Sequence, residues 1–236
     1  MKSLDVHTSP LILFDYGGTL DVPARHWSSV LWEAYQHAGV KTSNDAFREA
    51  YVYAERKMES NAVILPEDDF KTVLYIKALL QLDFLKVPQT AFYAHLVADY
   101  CDALVHRNLV VTRFLLTRLS ASGYKLGVVS NFYGNLSEVL KRYALSEYFA
   151  AVIDSTVVGF RKPSPEIWQC ALDQTGFSAA QTLVVGDSFN NDVVPAHQLG
   201  CQTVWLKGEM WKPQTYDMQV PDFVVTSLDE LSALLR

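Results

Sequence analysis

The chain has 236 residues, of which 50% are hydrophobic and 19% charged, with a formal net charge of −6. That supplies apolar material for a large packed core, excludes wholesale disorder, and argues against a nucleic-acid-binding surface, since no basic run of five residues appears. No apolar span reaches the ~18 residues of a membrane helix. The start, Met1–Asp5, lacks the apolar core of a secretory leader because Asp5 and His7 interrupt it. Cys101, Cys170 and Cys201 are scattered without C-x-x-C spacing, which suits reduced thiols in a cytoplasmic protein.

In chain order, the first element is Leu11-Ile12-Leu13-Phe14, four large apolar residues ending at Asp15. Flanked by Pro10 and by Gly17-Gly18, it predicts a strand buried on both faces of a parallel sheet. Ligands of such sheets bind outside the carboxyl ends of the strands, where Asp15 stands. The stretch alone equally allows a plain turn-capping aspartate.

Helical periodicity then takes over. Val30, Leu31, Ala34, Tyr35 and Ala38 recur at helical spacing up to Gly39. Ser43-Asn44 introduces a second helix through Phe47, Tyr51, Ala54 and Met58, and Glu67-Asp68-Asp69 a third through Phe70, Val73, Leu74 and Leu80. Pro88 and Thr90 open a fourth, through Leu96, Tyr100 and Leu104. The expectation is a four-helix insert over residues 22–105, between a core made of 1–21 and 106–236.

Beyond it the rhythm is strand–helix–strand. A helix carries Phe114, Leu115 and Leu119 to Gly123, followed by a strand at Lys125–Val129 ending on Ser130-Asn131. A helix from Leu136 to Leu145 and a short strand at Ala151–Ile153 come next. Pro165 then opens a helix to Gly176. Thr182–Val185 is a strand ending on Gly186-Asp187; strands at Gln202–Leu206 and Phe223–Val225 and a terminal helix capped at Ser227 complete the chain. The alternation predicts an α/β, doubly wound, mainly parallel Rossmann-like sheet with an inserted all-helical domain.

The strand ends then carry the chemistry. Asp15, Ser130 and Asp187 end three of the strands, and Lys162 lies in the loop Arg161-Lys162-Pro163. A carboxylate nucleophile, a hydroxyl, an ammonium and a second carboxylate in one crevice suit phosphoryl transfer through an aspartyl intermediate, with a divalent cation offsetting the anions.

These segments resemble, in order, the four motifs of the haloacid dehalogenase superfamily. Asp15 with Gly18 and Thr19 is similar to its first motif, Ser130 to the second, Lys162 to the third, and Gly186-Asp187-Ser188 with Asp192 to the fourth. The helical block resembles the family's alpha-helical cap. The resemblance implies a phosphatase acting on a small phosphorylated metabolite. Asp15, Ser130 and Lys162 would be catalytic, and Gly18, Ser130, Asn131 and Lys162 would hold the phosphate. Mg²⁺ would bind to Asp15, the Gly17 carbonyl, Asp187 and Asp192, an oxygen set of the right type.

Gly17 departs from the pattern, because the family's phosphatases place there an aspartate that serves as acid and then base. Such catalysis is worth roughly 10²–10⁴-fold, about 3–5 kcal/mol of barrier. Four readings follow. The first is a phosphohydrolase that relies on an easy leaving group or recruits another acid, with Asp21, His26 and Glu209 the nearest candidates. The second is a 2-haloacid dehalogenase, which needs no leaving-group acid; but such enzymes carry an aromatic residue at position 17, whereas Tyr16 is one residue early, and Asp187 argues for metal. The third is a phosphonatase, which needs a cap lysine and would look to Lys57 or Lys71. The fourth is a non-catalytic protein binding a phosphorylated ligand or partner. His26 and Trp27 are the insert residues expected to face the site, and Gly208–Pro221, with Met210, Trp211 and Tyr216, to flank its mouth or an oligomer contact. Expected partners are a small phosphorylated substrate and, at most, a second copy of the chain, monomer or homodimer.

Overall fold

The computed structural model describes residues 10–60, 63–210 and 214–235; the start of the chain and Trp211 lie outside them. Six strands form one sheet: β1 (Leu11–Phe14), β2 (Lys125–Ser130), β3 (Phe149–Asp154), β4 (Thr182–Gly186), β5 (Gln202–Leu206) and β6 (Phe223–Val225). Their order is β3-β2-β1-β4-β5-β6, and every pairing among the described residues is parallel. The chain therefore winds outward from β1 to one edge, returns, and winds outward to the other. The reversal at β1 opens a crevice at the carboxyl ends of β1, β2 and β4, where such folds bind ligands.

All four residues of β1 are completely buried, as its unbroken apolar run requires. Alternate side chains serve opposite faces: Ile12 and Phe14 join one apolar cluster, Leu11 and Leu13 the other. Burying each contributes about 1.5–3 kcal/mol.

The insert holds α1 (Trp27–Ala38), α2 (Asn44–Ser60), α3 (Phe70–Phe84) and the start of α4 (Thr90–Ala121). Ser43 caps α2 through the Ala46 N–H, and Asp69 caps α3 through the Thr72 N–H. One correction concerns α4. The sequence reading ends a helix near Leu104 and begins another before Phe114, whereas a single helix of 32 residues joins them. No glycine or proline interrupts Thr90–Ala121, so nothing stops the helix where the insert was expected to end. Its middle grips the loop after β1: Thr112 donates to the Leu20 carbonyl at 2.7 Å, and Asn108 to the Asp21 carbonyl at 3.1 Å.

The remaining helices are α5 (Leu136–Arg142), the single turn α6 (Ser155–Val158), α7 (Glu166–Thr175), α8 (Val194–Leu199) and α9 (Leu228–Leu234). Residues of α4, α5 and α9 pack on one face of the sheet, and of α7 and α8 on the other. That makes the sheet doubly wound. No helix among the described residues is long and apolar enough to cross a membrane.

Candidate active site

Asp15 directly follows β1, and its N–H still bonds the Val185 carbonyl of β4 at 2.9 Å, so the sheet fixes its backbone. The next residues turn back sharply, with the Thr19, Leu20 and Asp21 N–H groups all converging on the Tyr16 carbonyl. This brings Thr19 under the carboxylate, where its hydroxyl donates to Asp15 Oδ2 at 3.1 Å and accepts from the Asp187 N–H at 3.1 Å. One threonine thus ties the loop after β1 to the loop after β4.

Gly18 is required here. Its φ is +87°, and a Cβ on it would stand 2.6 Å from Asp187 Oδ2. Gly186 is equally constrained, since a Cβ there would lie 2.4 Å from Asp192 Oδ2. Gly17 differs from both. Its backbone needs no glycine, and a Cβ would meet only the Trp27 indole, at 3.6 Å.

Lys162 arrives between α6 and α7, before a cis peptide to Pro163. Its Nζ lies 2.6 Å from Asp15 Oδ1 and 2.8 Å from Asp192 Oδ1, and 4.7 Å from the centre of the Trp168 ring. The Asn131 carboxamide fixes its backbone, accepting from the Lys162 N–H at 2.8 Å and donating to its carbonyl at 3.0 Å. Ser130, buried at the end of β2, lines the same cavity.

One carboxylate oxygen from each of Asp15, Asp187 and Asp192 lies within 4.8 Å of the others. Burial pushes the Asp15 carboxyl up to about 6, against the pull of Lys162, and the Asp192 charge adds to the push. Burial also raises Asp187 well above the usual carboxylate range, with the charges of Asp15 and Asp192 next in importance. Burial works to lower Lys162, but Asp15 and Asp192 outweigh it and hold the ammonium above its ordinary pKa. Three carboxylates with one ammonium leave an uncompensated negative charge, and every side-chain donor is oxygen. The residues fit a hard divalent cation such as Mg²⁺.

A family model described as haloacid dehalogenase-like hydrolase matches residues 10–200. The chain belongs to that family. Among curated relatives, a glyceraldehyde 3-phosphate phosphatase of Methanothermobacter thermautotrophicus is 31% identical over 124 residues, 52% of this chain and 55% of that protein. Against such archaeal proteins the chain spans about half of the relative's length. A phosphoglycolate phosphatase of Aliivibrio fischeri is 28% identical, matched over 95% of this chain and 96% of its own. Among solved structures, the putative HAD-hydrolase YfnB from Bacillus subtilis bound to magnesium superposes with a TM-score of 0.63 at 20% identity, covering 97% of this chain and 99% of that one. A dehalogenase does so at 0.68 and 20%, covering 98% and 99%.

The crevice opens into a cavity of about 580 Å³ roofed by the insert. Of the sequence-selected residues, Asp15, Gly17, Ser130, Asn131, Lys162, Asp187 and Asp192 all line it, as do His26 and Trp27. Gly18 sits behind Asp187, and Lys57 and Lys71 are exposed. The sequence reading missed Lys77. It is buried, lines the cavity, and pairs with Glu55 at 2.7 Å, while Tyr133 donates to the other Glu55 oxygen at 2.8 Å. A lysine on the apolar stripe Phe70, Leu74, Lys77, Gln81 was the available signal. Asp21 also proves completely buried.

Proposed function

We propose that this protein is a Mg²⁺-dependent phosphohydrolase acting on a small phosphate monoester through an aspartyl-phosphate on Asp15. The observation that carries this reading is the convergence of a buried carboxylate, an ammonium 2.6 Å away and two further carboxylates at the switch point of the sheet. Asp15 attacks phosphorus. Lys162 and the Ser130 hydroxyl hold the phosphoryl oxygens, and Asn131 keeps the lysine's loop in place. Asp15, the Gly17 carbonyl and Asp187 would hold the cation, which supplies charge neutralisation and orients the phosphate. Asp192 gives one oxygen to Lys162 and the other to the Ser188 N–H at 3.0 Å, so its part is to seat the lysine. The acidic trio favours this chemistry over dehalogenation, because displacing a halide from carbon involves no phosphoryl group whose charge a cation must offset. Residues 22–105 serve as the cap over the core of 1–21 and 106–236.

The cap also supports a substrate class. The cations lining the cavity on its cap side are already neutralised, Lys77 by Glu55 and Arg161 by Glu59, each at 2.7 Å, while the lining Glu209 is paired with Arg25 at 3.5 Å. Between them stand Trp27, Tyr51, Phe70 and Tyr133. Such a chamber suits a monoester whose remainder is uncharged, as in the glyceraldehyde 3-phosphate for which one relative is named, over the carboxylated phosphoglycolate of another. Phosphate release from a panel containing both, with and without Mg²⁺, tests the reading. Mg²⁺-dependent release with preference for uncharged remainders supports it; no release from any phosphate ester overturns it.

A further inference from the structure

Resting on the phosphohydrolase reading, we propose that Asp21 is the acid and base that serves the leaving group, with the Trp27 indole as the residue that positions it. Glycine is not imposed at position 17 by backbone conformation, and a Cβ would lie in ordinary contact with the edge of Trp27, whose Nε1 stands 3.6 Å from the Cβ position. That same indole N–H donates to Asp21 Oδ2 at 2.9 Å. One carboxylate absent at position 17 and one present at position 21 thus flank a single indole nitrogen, and Asp15, Gly17, Asp21 and Trp27 line one cavity.

The other Asp21 oxygen is fixed from behind. Oδ1 accepts from the Gly18 N–H at 2.7 Å and the Val22 N–H at 2.6 Å, which holds the carboxyl group in one orientation within the turn that carries the nucleophile. Burial pushes this carboxyl up to about 7; the Gly18 and Val22 amides pull it down, the Asp15 charge raises it and Trp27 lowers it. Burial raises the hydroxyls of Tyr16 and Tyr143; the Asp21 charge adds to that at Tyr16 and, after Asp102, at Tyr143, and it also adds to the rise of Asp187. A pKa near neutrality is where one group serves best as both acid and base.

The two other nearby candidates are excluded by their surroundings. His26 caps α1, its Nδ1 accepting from the Ser28 N–H at 3.1 Å, and burial lowers its pKa, so the ring is neutral and a poor acid. Glu209 is at the surface, its side chain 44% exposed and paired with Arg25.

In the step assigned to it, an Asp15 oxygen forms a bond to phosphorus while the ester P–O bond breaks. Asp21 gives its proton to the departing oxygen and becomes a carboxylate. A water then attacks phosphorus, Asp21 takes that water's proton, and the P–O bond to Asp15 breaks to return both carboxyl groups to their starting forms. An aryl oxide of low pKa leaves without the first proton, whereas an alkoxide does not.

The test compares kcat/KM on 4-nitrophenyl phosphate and on glycerol phosphate, with Mg²⁺, for the wild type, Asp21→Asn and Trp27→Phe. Because kcat/KM reports on the steps through aspartyl-phosphate formation, Asp21→Asn is expected to lose about 10²–10⁴-fold on the alkyl ester and less than about tenfold on the aryl ester. On the aryl ester its kcat falls, and nitrophenol appears in a burst, since the intermediate has lost its base. Trp27→Phe, which removes the indole donor while keeping an aromatic ring, gives a smaller loss with the same alkyl bias, and it keeps the proposal testable if Asp21→Asn folds poorly. Equal losses on both esters in Trp27→Phe and Asp21→Asn, or no loss on either, overturn the assignment while leaving the phosphohydrolase reading intact. A wild type inert toward both esters overturns both.

Discussion

The floor and the roof of the cavity are built by different rules. On the floor, four loops at strand ends place each polar group through backbone geometry: Thr19 spans Asp15 and Asp187, Asn131 clasps Lys162, and two glycines give way to carboxylates. In the roof, helices α1 to α3 present aromatic rings around one buried ion pair, Lys77–Glu55, and that pair's second tie comes from the floor through Tyr133. The floor is over-determined and suited to positioning reacting atoms, where small displacements are expensive. The roof is mainly a packing surface, suited to selecting what the phosphate is attached to. The difference teaches that substitutions in the floor should change kcat and those in the roof KM, with Trp27, whose indole reaches down to Asp21, the one roof residue expected to behave as floor.

The sharpest way to break that contrast is at the nucleophile. Asp15→Ala is expected to reduce kcat by at least about a thousandfold on every phosphate ester, with the fold retained by circular dichroism. Loss confined to some esters would instead make the floor a selector.

In the roof, Lys77→Met strands Glu55 without its cation. Because the Glu55 side chain is 26% exposed, we expect a discounted penalty of about 2 kcal/mol, against about 3–5 for a fully buried pair, read as a lower denaturation midpoint. The Lys77→Met/Glu55→Gln double substitution recovers most of that stability but shifts KM by about tenfold with kcat held within about twofold. A change in kcat instead would erase the distinction between roof and floor.

The floor should also be the part that responds to pH through its cation. Asp15 and Asp187 hold protons more tightly in the fold than in water, by burial first and then by neighbouring carboxylates, Asp192 at Asp15 and both Asp15 and Asp192 at Asp187. Protons and Mg²⁺ compete for them, so Mg²⁺ affinity is expected to weaken as pH falls through about 6, where Asp15 takes up its proton. Calorimetric titration from pH 8 to 5 checks this, and affinity independent of pH would remove these carboxylates from the ligand set.

The smallest expected effect is a gain. Gly17→Asp has room for a Cβ at 3.6 Å from Trp27. If Asp21 already supplies the proton, turnover of alkyl phosphates changes by less than about tenfold. A larger rise would show the floor to be short of an acid.

How much of this was legible in sequence follows the same divide. The floor could be read because strand ends are marked by abrupt changes from apolar runs to Asp15-Tyr16-Gly17-Gly18 or Gly186-Asp187-Ser188, and four such segments fall in a recognisable order. In the roof, His26 and Trp27 could be read but the ion pair could not, because a Lys77 that pairs with Glu55 across two helices has no local signature beyond its place on a buried helix face. The length of α4 was misjudged because Val105 marks the change from insert to core, while helix propensity through Thr90–Ala121 takes no notice of that change. Asp21 was named as a nearby carboxylate, but its complete burial and its bond to Trp27 depend on the turn folding back under Thr112 and Asn108.

The central claim is that Asp15 turns over phosphate esters with a divalent cation. Phosphate release from 4-nitrophenyl phosphate, followed across a Mg²⁺ titration for the wild type and Asp15→Asn side by side, tests it most directly. The account predicts saturable, chelator-reversible release by the wild type and none above background for the variant. Release that ignores Mg²⁺, or that survives intact in Asp15→Asn, would contradict it.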